Sequence, residues 1–162
     1  MRKRAIGAFI RIPIDENYHT YGRIIRNYVY AFYDLRTDLE ITDLELIEKS
    51  PVLFKLWIHR SAINQGGWEI IGAKELLYDL KAPVTFFSQE IGHPEICQLD
   101  IEGIKKRVEP YECIGLERLS IWYYEHVQQR LLDHYNNVPN KDVHALKVNG
   151  SAWSKKNSGD EQ

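Results

Sequence analysis

The chain has 162 residues, of which 44% are hydrophobic and 27% are charged, and its formal net charge is −2. This length is typical of one domain, and this composition is that of a packed globular protein rather than a disordered one. A charge so close to zero provides no overall field that would draw the chain to DNA, RNA or an anionic membrane. A dedicated nucleic-acid-binding function is therefore disfavoured.

Cysteine content and hydropathy indicate the compartment. The two cysteines, Cys97 and Cys113, allow at most one disulfide, which favours reduced thiols in a cytosol over a disulfide-stabilised secreted domain. No apolar run approaches the roughly 20 residues that a membrane-spanning helix needs. The apolar stretch after the basic N-terminus is interrupted by Arg11, unlike a signal peptide. We therefore expect a cytoplasmic protein that does not bind a membrane.

The N-terminal part of the chain predicts a three-stranded antiparallel meander. Residues 5–14 alternate loosely and place isoleucines on one face, and residues 18–26 and 28–35 are two further runs rich in β-formers. Pro13 cannot donate a ladder hydrogen bond, so the end of the first strand is expected at an edge or a bulge. Gly22 predicts a bulge or a close backbone approach in the second strand.

Further short β-rich runs follow at residues 52–59, 68–71, 84–88 and 96–101. Turns that contain glycine or proline separate them. We expect these runs to complete one curled or barrel-like antiparallel sheet.

The C-terminal part predicts one long helix. Apolar residues recur there at steps of three and four, in the most regular stripe of the chain, at Leu116, Leu119, Tyr123, Val127 and Leu131. Pro110 precedes the stripe, as proline often does at a helix start. We predict a helix over residues 111–135 packed on the sheet, and hence an α+β fold. A single domain is expected over residues 1–148, with a polar flexible tail at 149–162.

The sharpest change in composition occurs at residues 34–48, which we call the acidic segment. It contains one basic residue, Arg36, and six acidic residues: Asp34, Asp38, Glu40, Asp43, Glu45 and Glu48. Its pattern predicts a loop followed by a short helix or strand. A solvated loop would explain this charge. A docking face for a basic partner is the functional alternative, because clustered charge accelerates association with an oppositely charged protein.

Candidate catalytic chemistry is sparse. His93 and Cys97 are the one suggestive pair of zinc ligands, but residues four apart on a strand lie about 13 Å from each other. Cys113 lies near the predicted helix start, where nearby carboxylates oppose formation of a thiolate. Neither a serine-nucleophile elbow nor a phosphate-binding glycine loop is present. We expect no catalytic residue, metal or cofactor. A small metal-dependent hydrolase using His19, His59 or His93 stays open as an alternative.

Aromatic and basic residues are interleaved in the predicted meander, as in a platform that stacks nucleic-acid bases. The aromatic residues are Tyr18, Tyr21, Tyr28, Tyr30, Phe32 and Tyr33, and the arginines are Arg11, Arg23 and Arg26. We favour a core role for the aromatic side chains, with the arginines extending around them, because the acidic segment that follows would repel a phosphate backbone. A single-stranded nucleic-acid-binding module is the third alternative.

Several short motifs occur along the chain in this order: Ile12-Pro13-Ile14, Tyr21-Gly22-Arg23-Ile24, Ala31-Phe32-Tyr33-Asp34, Val84-Thr85-Phe86-Phe87 and Gly115-Leu116-Glu117-Arg118, followed by Arg130-Leu131. The series, spread over residues 5–135, resembles the immunity protein 26 family of bacterial polymorphic-toxin systems. The chain departs from the family at Ala8, where an acidic residue often follows the first glycine. Some members of the family carry a phosphotriesterase label, which keeps the hydrolase alternative open.

The resemblance implies a cytoplasmic protein that binds a cognate protein toxin and blocks it by occlusion. We expect the toxin to contact the Gly22-Arg23 region and the acidic segment, since buried anchors give affinity and complementary charge gives speed. The expected partner-binding residues are Arg23, Tyr33, Asp34, Asp38, Glu40, Asp43, Glu45 and Glu48. The sequence predicts no particular oligomeric state.

Overall fold

The computed structural model describes residues 5–150, and the chain divides into two compact units. Of the described residues, the first unit contains those up to Ala82 and Ser120–Asp142, and the second contains Pro83–Leu119 and those from Val143 to Gly150. Most of the predicted tail falls on residues 151–162, outside the described residues. The single domain expected over residues 1–148 stays a prediction.

Strands predominate and the helices are short, which confirms the predicted α+β class. The strands are β1 (Ala8–Pro13), β2 (His19–Ile24), β3 (Val29–Thr37), β4 (Val52–Ile58), β5 (Glu69–Ala73), β6 (Thr85–Glu90), β7 (His93–Ile101), β8 (Ile104–Val108), β9 (Glu117–Arg118) and β10 (Ile121–Trp122). The helices are α1 (Leu44–Glu48), α2 (Ser61–Gln65), α3 (Tyr78–Lys81), α4 (Tyr124–Tyr135) and α5 (Lys141–Leu146), with a 3-10 turn at Pro110–Cys113.

The first unit contains a six-stranded sheet in the order β10-β4-β3-β2-β1-β5. Neighbouring strands are antiparallel except β10, which pairs parallel with β4. The predicted meander of β1, β2 and β3 is confirmed. The sheet is open, with β5 and β10 at its edges, so the predicted barrel is wrong.

The second unit contains a separate four-stranded sheet in the order β8-β7-β6-β9. The expectation that all strands join one sheet is therefore wrong. The run predicted at residues 84–88 corresponds to β6, and the run at 96–101 belongs to β7. β8 was not predicted, because three cations in a five-residue strand conceal its β pattern.

β1 is buried on both faces, although an isoleucine face alone was expected to be in the core. Phe9 and Ile10 point to opposite faces and are both fully buried. On the side of Phe9, a cluster forms with Tyr21, Tyr33 and Ile47 of α1. An interior strand that is buried on both faces of its sheet has a nearly continuous run of apolar residues. This explains why polar and apolar residues alternate only loosely in β1.

The two special residues of the meander behave as predicted. The pairing of β2 with β3 shifts in register next to Gly22, and a Cβ at that position would lie 3.1 Å from the carbonyl oxygen of Ala31. Pro13 is the last residue of β1 and lies beyond the last residue that pairs with β5, Arg11. Its missing N–H therefore breaks no hydrogen bond to that neighbouring strand.

The predicted helix over residues 111–135 is wrong in its first half, because α4 begins only at Tyr124. The chain leaves the 3-10 turn through Gly115, whose φ of +81° is a left-handed conformation that no helix accepts. β9 then pairs with β6, and β10 pairs with β4. Val127 and Leu131 form the buried face of α4, whereas Leu116 packs in a different cluster in the second unit.

Candidate partner-binding surface

The acidic segment is fixed to the sheet by a buried ion-pair network. Arg23 of β2 is completely buried, and its Nη1 donates to Oε2 of Glu48 at 2.8 Å. Its Nη2 donates to the carbonyl oxygens of Lys74 and Glu75 at 2.8 and 3.0 Å. The Lys74 ammonium lies 3.1 Å from Oε1 of Glu48. The guanidinium also lies 4.2 Å from the centre of the Phe9 ring, so the C-terminal end of α1 is held on β2.

The charge of Glu48 is stabilised by this network. Burial acts to raise the pKa of the Glu48 carboxyl, but hydrogen bonds and charges from Lys74 and Arg23 outweigh it and hold the pKa below its ordinary value. Glu48 is therefore ionised at neutral pH and occupied by internal partners.

Two predicted contact residues have no exposed side chain. Arg23 is fully buried, and Tyr33 is 1% exposed and stacks on Phe9 with ring centres 6.4 Å apart. The Tyr33 hydroxyl is buried without a hydrogen-bond partner. Burial raises its pKa, although the neighbouring Arg23 opposes this. Arg23 and Tyr33 therefore support the acidic segment from below, and their contact with a partner stays a prediction.

The loop between β3 and α1 is held at both ends by local hydrogen bonds. The Tyr21 hydroxyl lies 2.8 Å from the Thr37 hydroxyl and accepts from the backbone N–H of Ile41 at 3.0 Å. Asp43 caps α1, since its carboxylate accepts from the N–H groups of Glu45 and Leu46 at 3.1 and 3.3 Å. The predicted loop followed by a short helix or strand is confirmed for residues 38–48, where the second element is a helix, whereas residues 34–37 belong to β3.

Arg11 connects the acidic segment to the edge of the sheet. Its buried guanidinium forms ion pairs with Glu40 of the loop and Glu69 of β5. Glu69 was missed by sequence reasoning. Glu69 is identified by the pairing of β1 with β5, which places it opposite Arg11. The two residues are far apart in the sequence, so the local sequence pattern around either of them does not predict this pairing.

We define the acidic surface by its exposed carboxylates: Asp38, Glu40, Asp43, Glu45 and Glu69. Leu39 and Leu46 lie within the same segment and are 76% and 46% exposed. Carboxylates next to exposed leucines can offer both charge and apolar contact to a protein partner.

Asp34 is exposed but separately engaged. Its Oδ1 lies 3.2 Å from Nε2 of His134, at the C-terminal end of α4. Of the eight predicted contact residues, the structure therefore exposes Asp34, Asp38, Glu40, Asp43 and Glu45, and it places Arg23, Tyr33 and Glu48 beneath them.

Two of the three histidines proposed for a hydrolase have partners of their own, and the third has a buried nitrogen without one. His59 Nδ1 lies 2.8 Å from the Ser61 hydroxyl, His93 pairs with Glu95 at 3.5 Å, and His19 keeps a buried Nδ1 without a partner. Among residues 5–150 no group of three histidine, cysteine or acidic side chains is arranged to hold a metal ion.

The two cysteines are free and buried in the core of the second unit, with Phe87 and Val108. Burial and the neighbouring Cys97 raise the pKa of the Cys113 thiol to about 11. Burial also raises the pKa of Cys97, although Cys113 acts in the opposite direction. Thiols with such pKa values are poor nucleophiles at neutral pH. An adjoining cleft of about 490 Å³ is lined mainly by apolar residues such as Leu116, Leu146 and Val148.

Four of the six aromatic residues of the meander, Tyr21, Tyr30, Phe32 and Tyr33, are buried and unavailable for base stacking. The core role expected for the aromatic side chains is confirmed for these four, whereas Tyr18 and Tyr28 are only half-buried. Arg11 and Arg23 are engaged by carboxylates. Within residues 5–150, no helix is long and apolar enough to span a bilayer.

A comparison with protein families matches residues 5–98 to the family described as immunity protein 26. The matched range contains the entire acidic segment, Arg11, Arg23, Glu69 and Lys74. Neither the curated proteins nor the solved structures contain a match.

Proposed function

The chain belongs to the immunity protein 26 family, and from this we propose that it protects a bacterial cell by binding a cognate protein toxin. The observation that carries the proposal is the family match over residues 5–98. The proposed site of action is the cytoplasm.

We propose the acidic surface as the part that meets the toxin. Three features support this assignment: the carboxylates are exposed, the loop that carries three of them is tethered by Tyr21 and ends at Asp43, the cap of α1, and Leu39 is exposed among them. A pre-formed surface loses little conformational entropy on binding. Clustered carboxylates would steer a cationic toxin face toward it, and the leucines would supply apolar anchors.

Inhibition by occlusion needs no chemistry from this chain. A stable interface covers roughly 800 Å² on each partner, an area large enough to cover an active-site entrance. Inhibition is therefore expected to be stoichiometric, and the toxin is expected to recover its activity when the complex dissociates.

The test uses the cognate toxin domain, which we expect to be encoded next to the gene for this chain. Co-expression of the full chain is expected to restore growth of cells that produce this toxin. With purified proteins, toxin activity is expected to fall linearly with added chain and to reach zero near a 1:1 ratio, as for tight binding. Loss of toxin activity far below that ratio would indicate catalytic destruction of the toxin or its substrate and would contradict occlusion.

A further inference from the structure

Two open sheets leave four edge strands among the described residues: β5 and β10 in the first unit, and β8 and β9 in the second. β9 and β10 are two residues long and offer almost no backbone to a partner. β8 is longer, but its Lys105, Lys106 and Arg107 are all exposed. Charged side chains, especially lysines, typically protect an edge strand from pairing with another chain.

β5 lacks such cations, and its pairing with β1 is irregular only at Ile71. It has five residues, Glu-Ile-Ile-Gly-Ala, with no cation and no proline. Glu69 and Ala73 are exposed, and the Ile70 side chain is 49% exposed. The cation that follows, Lys74, is engaged by Glu48. β5 is therefore an open and partly apolar edge whose outward N–H and C=O groups can pair with an extended chain.

The charge around β5 selects the kind of chain that fits. Glu69 lies in the strand itself, and Glu40 is brought to the same place by their common partner Arg11. These two carboxylates share one guanidinium, so the site keeps a net negative charge. A second copy of this chain would bring a further net negative charge to this edge and no cation to neutralise it, so charge complementarity favours a basic partner instead.

We propose that a basic, extended segment of the toxin pairs with β5 as an additional strand of the first sheet. Backbone hydrogen bonds along β5 would provide affinity, Ile70 would provide an apolar contact, and Glu40 and Glu69 would recognise lysine or arginine side chains. This inference rests on the proposed function, and it specifies the binding mode and the chemistry of the toxin segment.

The first test is hydrogen exchange of the full wild-type chain, measured by mass spectrometry with and without the cognate toxin domain. The amides of residues 69–73 are expected to exchange at least about tenfold more slowly in the complex, whereas those of β8 are expected to be unchanged. A toxin that binds and leaves exchange in β5 unaltered would overturn the inference without affecting the proposed function. A toxin that does not bind would instead refute the proposed function.

The second test compares two matched substitutions at sheet edges. Ile70→Lys places a cation on β5 and is expected to weaken toxin binding at least about tenfold. Ile104→Lys makes the same change at the 74% exposed Ile104 of β8 and is expected to leave binding unchanged. Equal affinities of the two variants for the toxin would contradict the inference. It would also be contradicted if the chain self-associated in sedimentation experiments without toxin and this self-association protected the amides of β5 from exchange. If Ile70→Lys does not fold, the exchange experiment on the wild-type chain still tests whether the toxin pairs with β5.

Discussion

Glu48 is the side chain on which the position of α1 most directly depends, because it accepts from both Arg23 and Lys74. Replacing Glu48 by glutamine would leave the guanidinium of Arg23 buried without a counter-charge. Removal of one partner from a buried ion pair is strongly destabilising. We therefore expect Glu48→Gln to lower the free energy of unfolding by roughly 3 kcal/mol at pH 7, measured by urea denaturation.

The matched control is Glu45→Gln, at an exposed residue of the same helix. A substitution there is expected to change the free energy of unfolding by less than about 0.5 kcal/mol. If the two variants were equally stable, the buried network would have no special role.

The pKa of Glu48 also predicts how this contribution depends on pH. Because the folded-state pKa lies below the ordinary value of 4.5, the ionised carboxylate stabilises the fold above that value, and this stabilisation is lost as the pH falls through the folded-state pKa. The stability difference between wild type and Glu48→Gln is therefore expected to be full at pH 7 and to shrink below pH 4.5. Urea denaturation over a pH series would measure it. A difference that grew as the pH fell would contradict the assigned ionisation.

The two buried thiols give a second prediction for single residues. With a pKa of about 11, roughly one Cys113 thiol in a thousand is ionised at pH 8. Iodoacetamide at pH 8 is expected to alkylate neither Cys113 nor Cys97 in the folded chain during a time in which the urea-unfolded chain reacts completely. Mass spectrometry would count the adducts. Rapid alkylation of the folded chain would show that one thiol is accessible and activated.

At the level of elements, local patterns were sufficient for the meander and insufficient for the C-terminal helix. β1, β2 and β3 are consecutive, antiparallel and separated by short turns, so alternation and turn residues carry their signal. The apolar residues from Leu116 to Leu131 recur with a helical period, but the first half of this stretch is not helical. Pairing of β9 and β10 with distant strands overrides the helical pattern there, and such pairing depends on the tertiary structure.

Gly115 marks the place where the helical pattern is broken. Its φ is +81°, and a Cβ there would meet no atom within 4 Å, so Gly115→Ala would act through the backbone alone. Left-handed backbone costs a residue with a Cβ about 1–2 kcal/mol. We expect Gly115→Ala to lower the free energy of unfolding by about that amount, measured by urea denaturation.

The control for this prediction is Gly150→Ala, at a glycine that also has free space for a Cβ and no left-handed φ. No loss of stability is expected there. An equal loss in both variants would show that Gly115 is not special and that alanine itself is unfavourable in this part of the chain.

For the whole molecule, the acidic surface illustrates which parts of a site a sequence can predict. Its exposed carboxylates at positions 38–45 lie close together in the sequence, so the local composition was sufficient to identify them. Glu69, Arg11 and Lys74 join the surface or its support only through strand pairing and packing. Arg23 and Tyr33 were both predicted to contact the toxin. The core role expected for the aromatic residues anticipated the burial of Tyr33, whereas the burial of Arg23 depends on tertiary contacts with Glu48 and Lys74 that local pattern does not show.

A net charge of −2 hides this local concentration of carboxylates. The proposed function predicts that the triple variant Asp38→Asn, Asp43→Asn, Glu45→Gln associates with the toxin more slowly, mainly at low salt. Surface charges are screened beyond roughly 10 Å at 0.1 M ionic strength, so wild type and variant are expected to converge as salt is added. Asparagine at position 43 still caps α1, which preserves the fold. Stopped-flow association rates over a salt series would measure the effect.

The control triple variant, Glu90→Gln, Glu95→Gln, Glu125→Gln, removes the same charge from exposed positions outside the acidic surface. If electrostatic steering of the toxin depended on the net charge of the chain alone, both triple variants would associate with the toxin equally slowly. If it depends on the acidic surface, only the first is slowed, because the field that guides an encounter is strongest next to the charges that produce it. An association rate unchanged by the first variant at low salt would remove the acidic surface from the encounter with the toxin.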